Sequence, residues 1–220
     1  MDALRRSVFF ALAVVLGFLL LELPWNGDVF AIPQRYVIDN LLILGLGCAI
    51  TFLAGQRTRA SLAAFVGLCL MWGTPNFFII AFKGQPIVPA DLFALGTAAS
   101  VAGGYSLFLT GRLAFCWALF AAYCIALAKL CPQRKRARWD IAANMLCLGA
   151  MQYQAIDIKK DCEVTVDVWD VRGSYATQGT ALCFLSRAQE LTPKPPEGYS
   201  AEAVDAILAP FAEDPLTGTD

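Results

Sequence analysis

Apolar blocks long enough to cross a bilayer dominate this chain, and they leave it few ways to fold. They run over residues 7–23, 36–54, 61–82, 112–130 and 139–158. Each holds about 20 residues, the length a helix needs to cross ~30 Å of hydrocarbon. Inside a bilayer every backbone N–H and C=O must bond within its own segment, so each block is read as a helix. The expected fold class is therefore an all-α membrane protein, with residues 1–158 forming a five-helix transmembrane domain. An apolar content of 58% and a mean hydropathy of +0.57 are too high for an ordinary soluble domain. A net charge of −1 argues against nucleic acid as a partner, because that partner selects a basic surface.

The first block follows Arg5 and Arg6, as the core of a secretory signal peptide would. It is long for such a core, and no small-x-small cleavage site follows promptly, so a retained first helix is expected. Trp25 sits in the turn after it, where an aromatic ring anchors at the interface. In the third block Pro75 is expected to break the helix, with Asn76 supplying a hydrogen bond at the bend.

Residues 84–105 interrupt the blocks and are too short to cross. Pro86 and Pro89 forbid a regular helix at the start, and Asp91 is expected to open about three turns closed by Gly103 and Gly104. About 14 helical residues span only some 20 Å. The segment is read as an interfacial helix between the third and fourth spans.

Charge sets the expected orientation. With five spans, Arg5, Arg6, Arg57, Arg59, Arg134, Lys135, Arg136 and Arg138 fall on one side, while the opposite short loops hold little beyond Arg35, Lys83 and Arg112. The excess of Lys and Arg marks the cytoplasmic side. Residues 84–105 and everything after about Lys159 are then extracytoplasmic. In that tail, 159–191 is read as a juxtamembrane segment. It carries alternating Val164, Val166 and Val168, then one amphipathic helix over 174–191 resting on the membrane face. Residues 192–220 form a proline-stiffened linker and a short helix, 201–211, capped by Ser200.

Chemistry-bearing residues are sparse. The chain has no histidine, which removes the commonest general base and metal ligand. None of its eight cysteines forms a C-x-x-C pair, and six lie in or beside apolar blocks as small hydrophobic fillers. Cys162 and Cys183 lie outside them, and their pairing is left open. Four residues are candidates for contact with lipid or a docked domain. Asp91 stands in the first turn of the interfacial segment, where a structural carboxylate competes with a docking role. Lys83 and Arg112 flank that segment, where snorkelling at helix ends competes with binding of an anionic headgroup. Asn76 lies beside Pro75. No catalytic residue and no metal ligand is assigned.

Residues 86–102, Pro86-Ile-Val-Pro89-Ala-Asp91 onward, resemble the external segment of the membrane domain of lipoteichoic acid synthase-like phosphoglycerol transferases, which belong to the sulfatase superfamily. Asn76-Phe77-Phe78 with Phe82-Lys83-Gly84 is similar to that family's approach to the segment. So is Trp169-Asp170 through Tyr175 and Gly179, although 180–183 is less apolar than the family's habit. Residues 194–200 resemble its linker into the catalytic domain. The resemblance implies five N-terminal helices that anchor an extracellular sulfatase-like domain to the cell membrane. That domain uses a threonine nucleophile and a divalent metal, usually manganese, to move glycerol phosphate from phosphatidylglycerol. Nothing in this chain matches the nucleophile or the metal ligands, so the chain is expected to be the anchoring part, inactive alone, with the catalytic domain as partner in cis or as a neighbouring chain. The alternative is a stand-alone polytopic protein that binds lipid or a partner, or a small transporter.

Overall fold

The structure is a computed structural model that describes residues 2–55, 58–94, 96, 108–132, 156–191 and 200–212. Among them the fold is all-helical, with no strand. Among the described residues four helices are long and apolar enough to cross a membrane: α1 (Asp2–Glu22), α2 (Gln34–Ala54), α3 (Arg59–Lys83) and α4 (Gly111–Leu130). Their ends fall within a few residues of the expected blocks, because the change from apolar to polar side chains also decides where a helix can leave hydrocarbon. Thr110 starts α4 by accepting a hydrogen bond from the Leu113 N–H, a cap one turn ahead of the apolar run.

The four helices alternate in direction. Tyr123 of α4 donates to the Phe9 carbonyl of α1, and Arg59 at the start of α3 donates to the Ala128 carbonyl of α4. Those contacts mark one end of the bundle. At the other end lie the C-termini of α1 and α3 and the N-termini of α2 and α4, with Phe77 and Phe78 of α3 packed edge-on against Phe108 just before α4. The core between them is built from Ala13, Leu20, Leu62, Val66 and Leu70. Gly73 lets α3 approach α1 so closely that a Cβ there would collide with the Leu20 carbonyl. Backbone approach of this kind is how small residues pack helices in membranes.

Three short helices close the second end: α5 (Ile158–Asp161), α6 (Val171–Gln178) and α7 (Thr180–Gln189). They pack with Trp25 and Ile80 around a second core of Ile158, Val164, Tyr175, Leu182 and Cys183. A separate unit, Glu190–Asp220, contains α8 (Ala201–Ala212), whose first turn is closed by the Val204 N–H donating to the Ser200 carbonyl.

Several expectations need correction. α3 runs through Pro75 without a break. The single helix expected over 174–191 is two, because Gly179 adopts φ +94° and turns the chain between α6 and α7. In that pair Tyr175, Leu182 and Cys183 turn inward onto the helix ends. The turn bearing Asp91 is a 3₁₀ helix, Pro89–Ala94, that begins two residues earlier than expected, since proline is tolerated in a first turn. Val164 is buried and Val168 exposed, so the valine alternation does not sort the side chains onto two faces, and among the described residues the segment forms no strand. At the end of the expected fifth span, Asp157 accepts from the Lys160 N–H and starts α5, so 156–158 do not continue a spanning helix. The rest of that span, 139–155, lies outside the described residues, as do Arg57, the basic run 134–138, most of 95–107 and the linker 192–199.

Candidate functional site

The end of the bundle that carries the short helices is organised by three buried polar residues, one from each of the first three spanning helices: Glu22, Asn40 and Asn76. Each is completely buried. A polar group in that position is costly unless it is hydrogen-bonded. All three bond backbone groups of segments outside the bundle.

Asn40 contributes most. Its Nδ2 donates to the Gln178 carbonyl at the end of α6 (2.8 Å) and to the Tyr36 carbonyl of its own helix (2.7 Å), while its Oδ1 accepts from the Leu182 N–H of α7 (3.3 Å). One amide thus satisfies a carbonyl at a helix C-terminus and an N–H at the next N-terminus, groups that have no partner inside their own helices. Glycine at 179 is required twice over: by its positive φ, and because a Cβ would collide with the Asn40 amide. Glu22 completes the corner, its Oε1 accepting from the Thr180 N–H at the start of α7. A carboxylate there also suits the positive end of the α7 dipole. Asn26, just past α1, donates from Nδ2 to the Ala176 carbonyl (3.0 Å).

Asn76 serves the other external segment. Its Oδ1 accepts from the Ile87 N–H (2.8 Å), so the bond goes to residues 84–94 rather than to a bend in α3. Lys83 donates to both carboxylate oxygens of Asp91, at 2.8 and 3.0 Å, and Asp91 Oδ2 also accepts from the Val88 N–H. Asp91, Lys83 and Asn76 therefore come together as the fastening of one turn. The Lys83–Asp91 pair is partly exposed, at 44% and 33% of its side chains. Such a pair contributes no more than about 1 kcal/mol. Arg112 stands apart from them, at the start of α4 against the turn at Gly27.

Glu22 and Asn40 were missed by sequence reasoning. Both signals were present: a carboxylate closing the run Leu19-Leu20-Leu21, and an amide one turn into the second block. An ionisable or strongly polar side chain at membrane depth is itself a marker of a special position.

The segment between the bundle and α6 is fastened in the same manner. Gln178 accepts from the Thr165 N–H (2.9 Å) and donates to its carbonyl (2.6 Å), and Asp170 caps α6 by accepting from the Gly173 N–H. Gln189 at the end of α7 holds both the Ile156 carbonyl and the Ile158 N–H. Arg35 pairs with Glu163 at 2.6 Å across the exposed flank.

Cys162 and Cys183 are free thiols. Burial pushes the Cys183 thiol and the Tyr175 phenol well above their ordinary ranges. The folded state therefore favours neutral Cys183. Its contribution is fully present below the ordinary thiol range near pH 8.5 and is lost as pH rises through the higher folded value. We expect a maleimide reagent at neutral pH to leave Cys183 unmodified in the folded protein and to modify it after denaturation. Ready modification of the native protein would contradict the packing of α7.

Comparison with protein-family models, with curated proteins and with solved structures finds no match to this chain.

Proposed function

We propose that this chain is the membrane-anchoring part of a lipoteichoic acid synthase-like phosphoglycerol transferase. Its bundle would hold a sulfatase-like catalytic domain at the outer face of the cell membrane, beside the phosphatidylglycerol it consumes. In this reading the N-terminus is cytoplasmic and the end bearing α5–α7 is extracytoplasmic, which the distribution of Lys and Arg along the sequence supports. In this reading the divalent metal and the nucleophile belong to the catalytic domain.

One observation supports the proposal above the others. Several of the residues that carry the family resemblance fasten the outlying segments to the apolar helices. Asn76 holds Ile87, Asp91 binds Lys83 and Val88, Asp170 caps α6, Tyr175 fills the core and Gly179 turns the corner on Asn40. Fastenings of this kind suit an anchor, because a domain that works on lipid must be held at a fixed height.

The direct test is a chimera in which residues 1–200 replace the membrane part of an active family member. Polymer synthesis in cells should be retained in the chimera and absent from residues 1–220 expressed alone with phosphatidylglycerol and manganese supplied. Loss of synthesis in a chimera that is stably inserted, or phosphoglycerol release by the chain alone, would overturn the reading.

The turn at 89–94 lies at the level where α3 ends, with Phe93 81% exposed. In this reading it sits in the headgroup layer of the outer leaflet. A Phe93→Trp variant in vesicles, in a background with the five native tryptophans replaced by phenylalanine, is expected to be quenched by lipids brominated near the headgroup more than by lipids brominated at the chain ends. Equal weak quenching from both positions would remove the segment from the interface.

A further inference from the structure

We draw no further inference here: the strongest candidate, the apolar groove of about 450 Å³ between α2 and α3 beneath α7, opens on the apolar flank of the bundle, and nothing in the structure shows what covers it.

Discussion

Replacing Asn40 with leucine is expected to release α6 and α7 from the spanning helices. Leucine preserves bulk and suits an apolar helix, so α2 itself should form normally. The change strips partners from the Gln178 carbonyl and the Leu182 N–H, both of which Asn40 holds at the corner. Leaving a buried backbone group unsatisfied costs about 1–3 kcal/mol. Two such groups put the loss at about 2–6 kcal/mol, enough to raise the population of the undocked form at least ~25-fold. Hydrogen exchange measured in nanodiscs should show amides of 171–189 exchanging faster by that factor, while the far end of the bundle, where Tyr123 meets Phe9, keeps its protection. Unchanged exchange over 171–189 would mean that the second core alone holds the corner and that Asn40 is incidental.

Gly73→Val should produce the other large effect, and of a different kind. Here the cost is steric: the new side chain meets the Leu20 and Leu21 carbonyls and the Pro24 ring, none of which can turn aside. Among the described residues α1 and α3 form the most extensive helix pair, and prying them apart should cost about 3 kcal/mol. A lower thermal midpoint in detergent, or loss of the folded form at modest denaturant, is the expected readout. Gly45 supplies the control, since a Cβ there meets nothing within 4 Å. Gly45→Ala is expected to be neutral or to stabilise α2 by up to about 1 kcal/mol, the ordinary helix preference of alanine over glycine. Equal effects at the two positions would argue that the α1–α3 contact is looser than described.

The contrast between these glycines shows what could be read from the chain and what could not. Both lie in apolar blocks, and no local pattern says that one faces a carbonyl and the other open space. Helix positions were legible because an apolar run of bilayer length has few alternatives; α1 to α4 end close to where polarity predicts. Partners across the sequence were not legible. Asn40 and Gln178 are 138 residues apart, and Glu22 and Thr180 are 158 apart. The amphipathic pattern of 174–191 was real, but its period says nothing about whether the apolar face meets lipid or protein. Gly179 was the one local hint of a break. It was absorbed into a longer helix because a lone glycine is tolerated there. Asp91 and Lys83, eight residues apart, were singled out separately, each as a candidate for contact with lipid or a docked domain. Yet only the fold reveals that each is the other's partner.

The proposed function depends on the α5–α7 end lying outside the cytoplasm. Trp169, 92% exposed on the segment leading into α6, and Leu4, 70% exposed near the opposite end of the bundle, are suitable reporters of the two sides. In cells whose membrane is intact, and in a background with the eight native cysteines replaced by serine, a membrane-impermeant maleimide should modify a Trp169→Cys variant at once and a Leu4→Cys variant only after permeabilisation. The reverse order of labelling would place the external segments in the cytoplasm and would contradict both the orientation and the function built on it.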